Sequence, residues 1–153
     1  MSWTSEHQKV LEDLTTELCN ATALHTIDFS KAFGLLIDAS IVAVGCCLIQ
    51  WTDEGIEKPI AFASMKLSTT QSRWSTIERE AFAVMWALRR FRSWVFMSKL
   101  IVFSDHNPLA FLTDTVPKSA KLARWALALQ EFNLEFRYRA GHKNTAADFL
   151  SRM

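Results

Sequence analysis

The chain has 153 residues, half of them hydrophobic, and a net charge of +1 at pH 7, so it fits one domain with a large core. It has no apolar run of the roughly 18 residues that a membrane span needs, and no basic-then-apolar leader, so we expect an intracellular protein without membrane attachment. The small net charge argues against a broad basic surface for nucleic acid. The three cysteines suit neither a disulfide framework nor a zinc site and are interpreted as core residues.

The N-terminal region predicts a short amphipathic helix followed by a connector. Residues 5–19 carry apolar side chains at helical spacing, namely Val10, Leu11, Leu14 and Leu18. Residues 20–31 show little periodicity and predict an extended segment. We therefore expect residues 1–30 to form a helix and connector in front of a main domain at residues 31–153.

Three strands are predicted at the start of the main domain. The apolar run 33–37 ends abruptly at Asp38, as expected of a central strand that reaches the edge of a sheet. Two further strands follow at residues 41–51 and 58–65, and the short turns between the three predict an antiparallel meander. Residues 66–74 are polar and predict a loop.

A core helix is predicted at residues 75–91. Ser75 and Glu78 have the spacing of a capping box, which fixes the start of the helix. Residues 81–88 are apolar all round, so the helix is expected to be covered on more than one side. Glu80 lies roughly 200° around the axis from Glu78 and cannot share the cap. Because burying its carboxylate costs several kcal/mol, Glu80 requires partners from elsewhere in the chain.

A second apolar run, at residues 100–104, also ends in an acid, Asp105. Because a helix connects it to the first strand group, the right-handed crossover rule predicts that the two runs pair in parallel. The remaining predictions are a helix at 107–112 capped by Asn107, a chain break at 116–118, a helix at 120–132, a strand at 134–138 and a helix at 145–152 capped by Asn144. The order of elements is βββαβ(α)αβα.

The two strand-end aspartates suggest a metal site. If the strands are parallel neighbours, Asp38 and Asp105 lie about 5 Å apart at the carboxyl edge of the sheet, where like charges require a cation. Oxygen ligands without cysteine favour Mg²⁺ or Mn²⁺ over zinc. Taken singly, each aspartate also fits an ordinary turn or cap, and Asp148 could simply favour a helix dipole, so spacing alone leaves both interpretations open.

Several motifs occur in a recognisable order: Asp38-Ala39-Ser40, residues 59–64, 75–88 and 104–109, Arg124-Trp125, and residues 129–132 and 144–152. From about residue 30 onward the chain resembles the RNase H domain of gypsy-class LTR retrotransposon (retrovirus-like) reverse transcriptases. Trp3, Thr4 and the first helix resemble the end of the preceding polymerase region. The resemblance implies an α/β, RNase H-like fold with a five-stranded mixed sheet and helices on both faces.

The resemblance also implies catalytic and metal-binding residues. The family's four acids carry over by position to Asp38, Glu80, Asp105 and Asp148. They are expected to bind two Mg²⁺ ions, with Mn²⁺ as a substitute, about 4 Å apart, which activate a water and stabilise the leaving 3′ oxygen. The implied substrate is the RNA strand of an RNA–DNA hybrid, cut endonucleolytically to leave 5′-phosphate ends.

Substrate contacts are implied at further positions. Backbone groups around Ala39 and Ser40 are expected near the 2′-hydroxyls of the RNA strand, and Ser75 and Thr76 near the DNA strand, with Asn107 as a further contact. The family's auxiliary histidine lies some ten residues before the last aspartate. His142 precedes Asp148 by only six residues, so it matches either that auxiliary group or an exposed loop histidine.

Three functions remain open at this point. The first is an active ribonuclease H of reverse transcription, with the hybrid and the polymerase region of the same polyprotein as partners, in the cytoplasm and in virus-like particles. The second is a catalytically inactive tether or domesticated partner-binding domain. The third is a DNA-cutting transposase or integrase core. The presence of all four acids favours the first, because an unneeded buried carboxylate cluster destabilises a protein.

The isolated chain is expected to cleave hybrid weakly and with a steep salt dependence. The basic helix and loop that some relatives insert after the core helix are absent, and the net charge is only +1, so few phosphates are neutralised. Initial cleavage rates measured between about 50 and 200 mM salt test this expectation. Tight, salt-insensitive cleavage would contradict it.

Overall fold

The computed structural model describes residues 4–6, 8–10, 12, 13, 16, 26–105 and 119–152. The described residues from Ser5 to Thr16 are helical, as predicted, and the side chain of Val10 is exposed. No helix in these ranges is both long and apolar enough to cross a membrane. Several predictions lie outside the described residues: Leu11, Leu14, Leu18 and Cys19, most of the connector, Asn107, the helix at 107–112 and the break at 116–118.

A five-stranded mixed sheet forms the centre of the fold and confirms the predicted architecture. Its strands are β1 (Phe33–Ala39), β2 (Ala43–Trp51), β3 (Glu57–Lys66), β4 (Lys99–Ser104) and β5 (Asn133–Tyr138). In space they are ordered β3-β2-β1-β4-β5. The first three strands pair antiparallel, whereas β4 is parallel to β1 and β5 is parallel to β4. The meander and the parallel crossover were therefore both predicted correctly.

The helices of the main domain are α1 (Thr69–Ser72), α2 (Thr76–Arg90), α3 (Arg92–Val95), α4 (Ala120–Leu129) and α5 (Thr145–Ser151), with a 3₁₀ turn at Gly141–Lys143. Helix α2 begins with the predicted capping box between Ser75 and Glu78. The single turn α1 lies in the stretch that was predicted to be a loop. It forms because Ser68 and Gln71 make a second capping box.

Helices cover both faces of the sheet. On one face, Leu35 and Ile37 of β1 pack with residues of α2 and α4, including Leu88 and Leu129. On the other face, Leu36 and its neighbours on β2 and β4 pack with Ala147 of α5. Cys46 and Cys47 are buried on opposite faces of β2, which confirms that they are core residues.

Helix α5 docks closely on β2 because Gly45 has no side chain. A Cβ atom at Gly45 would lie 2.6 Å from the Ala147 carbonyl oxygen and 2.7 Å from the Ser151 nitrogen. The hydroxyl of Ser64 donates to the Leu150 carbonyl at 2.9 Å from the neighbouring strand. This close approach brings the C-terminal helix to the end of β1.

Asn144 occupies the N-cap position of α5, as predicted, but it does not cap the helix through its side chain. Its side chain is buried and makes no capping bond. Instead its Nδ2 donates to the backbone oxygen of Ile37 at 2.8 Å. A buried strand-end carbonyl needs a donor, and Asn144 provides it, which ties the start of α5 to β1.

Gly45→Ala is expected to lower the free energy of unfolding by about 1–3 kcal/mol, because overpacking here displaces backbone atoms of α5. Urea denaturation measures the change. Gly34→Ala is the matched control, since its new methyl would meet only side-chain atoms of Ile49 and Trp51 and should cost less. An equal loss in both variants would contradict the tight docking of α5.

Candidate active site

The parallel pairing of β1 and β4 brings two aspartates together. Leu36 is opposite Phe103 in the register, and two residues further along each strand stand Asp38 and Asp105. Oxygen atoms of Asp38, Asp105 and Glu80 all lie within 4.8 Å of one another. The three acids that were predicted from two strand ends and a core helix therefore converge at one sheet edge.

Glu80 is the most buried member of this cluster, with 2% of its surface exposed. The capping box fixes the first turn of α2 and so sets the direction in which Glu80 points. The backbone of Ala39, at the end of β1, acts to lower the pKa of the Glu80 carboxyl group. Glu78 has a different role: it accepts from the Ser75 N–H at 3.2 Å and from Lys121 at 3.0 Å, and the Lys121 ammonium lowers its pKa.

The cluster is electrostatically costly without a cation. Burial raises the pKa of Glu80 to about 8, and the negative charges of Asp38 and Asp105 act in the same direction. Burial also raises the pKa of Asp38, assisted by Asp105 and Asp148, while a hydrogen bond from Ser151 opposes the rise. In the described part of the chain the cluster offers three carboxylates and neither histidine nor cysteine. Such a donor set suits a hard divalent cation, so this triad could hold a metal ion.

Ser151 is a site residue that the sequence analysis missed. Its hydroxyl, at the end of α5, donates to Oδ2 of Asp38. The hydroxyl of Ser40 in turn donates to the Ser151 carbonyl oxygen, and Ser40 Oγ accepts from the Val42 and Ala43 N–H groups, each at 3.0 Å. The available signal was spacing, because Ser151 lies one helical turn after Asp148.

Asp148 lies beside the triad but not in it. It lines a cavity of about 520 Å³ together with Asp38, Ala39, Ser40, Asp105, Gly141 and Arg152. Its Oδ1 accepts from Arg152 Nε at 2.8 Å and Nη2 at 2.6 Å. The fourth predicted acid therefore faces the same cavity while paired with a cation four residues away.

The other predicted site residues differ in what can be described. Ala39 and Ser40 line the acidic cavity, and Ser75 and Thr76 stand exposed at the start of α2. His142 belongs by its backbone to the 3₁₀ turn, and its side chain lies outside the described part of the structure. Asn107 lies outside it altogether.

Comparison with known proteins identifies relatives along the whole chain. The Pol polyprotein of transposon 412 from Drosophila melanogaster is 40% identical over 151 residues, which cover 99% of this chain and 12% of the polyprotein. The transposon Tf2-3 polyprotein of Schizosaccharomyces pombe is 34% identical over 155 residues, again covering 99% of this chain and 12% of the relative. The chain thus spans about an eighth of the length of these polyproteins.

Solved structures share the fold. The foamy viral protease-reverse transcriptase in complex with an RNA/DNA hybrid has a TM-score of 0.63 at 22% identity, over 90% of this chain and 19% of the other. RNase H1 from the archaeon Halobacterium salinarum has a TM-score of 0.55 at 15% identity, over 78% of this chain and 92% of the other. These similarities confirm the RNase H-like fold.

A family model described as an RNase H-like domain found in reverse transcriptase matches residues 28–132. That range is more than half of the chain, and it includes Asp38, Glu80 and Asp105. Together with relatives that are 34% and 40% identical over nearly the whole sequence, it shows that the chain belongs to the RNase H-like domains of reverse transcriptases in retrotransposon Pol polyproteins.

Proposed function

We propose that the chain is a ribonuclease H that hydrolyses the RNA strand of RNA–DNA hybrids endonucleolytically during reverse transcription of an LTR retrotransposon. The observation that carries the proposal is the convergence of Asp38, Glu80 and Asp105 oxygens within 4.8 Å. Such a cluster destabilises a fold unless a cation binds to it. Its retention in a family defined by RNase H-like domains favours catalysis over an inactive tether.

Asp38, Glu80 and Asp105 would hold Mg²⁺, with Asp148 as the fourth acid and Mn²⁺ as a substitute. When bound, two such ions supply Lewis-acid stabilisation of the charge that develops on the phosphodiester oxygens. The Ser151 hydroxyl orients Asp38, and the capping box at the start of α2 sets the direction of Glu80. Fixed carboxylates of this kind need no rearrangement when substrate arrives.

Arg152 is the cation that faces this cavity in the described residues. Its side chain is 72% exposed, and its partner Asp148 lies on the same helix. An exposed guanidinium beside a cluster of acids can also pair with a substrate phosphate. We therefore assign Arg152 a role in attracting the scissile phosphate while Asp148 turns toward the other carboxylates.

Substrate recognition is proposed to involve the surroundings of the cavity. Ala39 and Ser40 line it next to Asp38, and we propose that they read 2′-hydroxyls. Ser75 and Thr76 are exposed at the start of α2, and we propose that they contact the DNA strand. Asn107 and His142 are further proposed contacts, with His142 as an auxiliary group for product release.

The relatives support a biological setting for this activity. The chain covers 12% of Pol polyproteins from transposons, and a related fold has been solved in a foamy viral reverse transcriptase bound to an RNA/DNA hybrid. We propose that residues 31–153 form the nuclease unit and that residues 1–30 end the preceding polymerase region. The partners are then that polymerase and the hybrid, in cytoplasmic virus-like particles.

Asp105→Asn is expected to reduce hybrid cleavage at least about 100-fold, because a metal ligand is removed. Labelled hybrid, duplex DNA and duplex RNA are incubated with Mg²⁺, and products are resolved by size. Asp53→Asn is the matched control, since Asp53 is exposed and paired with Lys31. A stable wild-type chain that leaves hybrid intact would indicate an inactive tether, and preferential cutting of duplex DNA would indicate a transposase-like core.

Glu80→Gln is expected to stabilise the metal-free protein at alkaline pH. Because the folded-state pKa of Glu80 is raised from 4.5 to about 8, its contribution to stability is present below pH 4.5 and is lost as pH rises toward 8. The loss is on the order of 4 kcal/mol at pH 8. Urea denaturation in EDTA at several pH values measures it.

The exposed Glu54→Gln variant is the control for the loss of a carboxylate. At pH 8, added Mg²⁺ should restore the stability that the wild-type protein has lost. It should stabilise the Glu80→Gln variant much less, because that variant lacks one metal ligand. A wild-type protein whose metal-free stability does not fall between pH 5 and pH 8 would contradict the buried carboxylate cluster.

A further inference from the structure

A basic groove lies between α2 and α4, on the face of the sheet that α5 does not cover. It has a volume of about 390 Å³ and is lined by Trp74, Arg89, Lys121, Arg124, Trp125 and Ala128. Among the described residues, this lining contains three cations and no carboxylate. We call it the α2–α4 groove.

The walls of the groove are rigid aromatic side chains. The Trp74 and Trp125 rings lie 5.7 Å apart, and each packs against Phe82 of α2, at 5.5 Å and 6.0 Å. Lys121 lies 3.9 Å from the centre of the Trp74 ring and pairs with Glu78. Its charge is therefore already compensated, and its role is to join α4 to the start of α2.

Arg89 and Arg124 differ from Lys121 in having no such partner. Both are exposed, and in residues 26–105 and 119–152 neither makes an ion pair or a side-chain hydrogen bond. Two guanidinium groups that line one groove without an acid produce a local positive potential. Such a site suits a polyanion, and a guanidinium binds phosphate oxygens in a bidentate manner.

The positive surface continues past the groove. Arg89 also lines a second cavity, of about 730 Å³, together with Arg90 and Arg92. Arg92 is paired with Glu131, whereas Arg90 is exposed and has no ion pair within the described ranges. Arg89 follows Glu80 by nine residues, so it lies about 13 Å further along the axis of α2. The basic surface thus runs away from the carboxylate cluster along one helix.

We propose that the α2–α4 groove binds the sugar–phosphate backbone of the hybrid outside the segment held at the carboxylates. The inference rests on the proposed nuclease function for the identity of the nucleic acid. Arg89 and Arg124 contact phosphates, and the two indoles provide the apolar wall on which sugars and bases pack. Trp74 lines the groove and directly precedes Ser75 in the chain. One continuous duplex can therefore contact both the groove and the start of α2.

The groove also qualifies what the net charge implied. A charge of +1 argued against a broad basic surface, yet two unpaired arginines are gathered in one groove. Asp38, Glu80 and Asp105 occupy the sheet edge, while Arg89 and Arg124 line the groove. Cation binding at the carboxylates would leave the groove's positive charge fully available to phosphate.

The test is equilibrium binding of an Arg89→Gln/Arg124→Gln double variant to labelled hybrid of about 20 base pairs, longer than the roughly 22 Å of α2. All proteins carry Asp105→Asn and are measured in EDTA by fluorescence anisotropy across a salt series. The matched control is Lys9→Gln/Lys58→Gln, which removes the same charge from exposed positions that do not line the groove. Thermal unfolding confirms that every variant is folded.

The double variant is expected to bind about tenfold more weakly than the control near 0.1 M salt. Its salt slope should fall by about 2, roughly one unit for each phosphate that an arginine no longer neutralises. In cleavage by the otherwise wild-type chain, KM should rise while kcat stays within about twofold. A salt slope of hybrid binding equal to that of the control variant overturns the proposal. Displacement of the labelled hybrid by polyglutamate as effectively as by unlabelled hybrid also overturns it, because it would indicate an acidic protein partner.

Binding and cleavage separate this inference from the proposed function. If the wild-type chain does not cut hybrid but Arg89→Gln/Arg124→Gln still loses binding, the groove is confirmed and the nuclease proposal fails. If the chain cuts hybrid and the groove variant binds like its control, the groove proposal fails alone. The single Arg124→Gln variant serves as a second test, because its exposed side chain contributes nothing to the core.

Discussion

The carboxylate of Glu80 is held, almost without solvent, against those of Asp38 and Asp105. The contacts around the site are explained by the need to compensate the repulsion between these three groups. A protein tolerates such a cluster only by compensating it. Here the compensation comes partly from the chain, through the Ala39 backbone and the Ser151 hydroxyl. Under the proposed function a bound cation supplies the remainder, so that the same residues that reduce the stability of the metal-free fold would create its affinity for metal.

Much of this arrangement could be predicted from the sequence because it depends on local patterns. Two apolar runs that end in acids predict buried strands that reach one sheet edge, and the connecting helix makes them parallel. The capping box at Ser75 and Glu78 distinguishes the structural glutamate from Glu80. The positions of the four acids came from the resemblance to a family, and the structure brings three of them within 4.8 Å.

Other features could not be predicted, because they depend on contacts between distant residues. Asn144 directly precedes a helix, and its sequence position therefore predicts a side-chain cap. In the structure its side-chain amide instead donates to a buried backbone carbonyl of β1, which would otherwise lack a donor. Asp148 pairs locally with Arg152, but whether it also faces the other acids depends on how α5 lies on the sheet. Arg89 and Arg124 are far apart in sequence, and only the packing of α4 on α2 places them in one groove.

The attachment of α5 has a consequence for how the protein is made. The bond between Asp38 and Ser151 spans 113 positions, and that between Ile37 and Asn144 spans 107. On the ribosome, all five strands emerge before α5 does, so a nascent domain can pair its sheet while Asp38 still lacks its serine and the cavity lacks Asp148. Under the proposed function, catalytic competence would therefore be acquired only once α5 has emerged, after the sheet has paired.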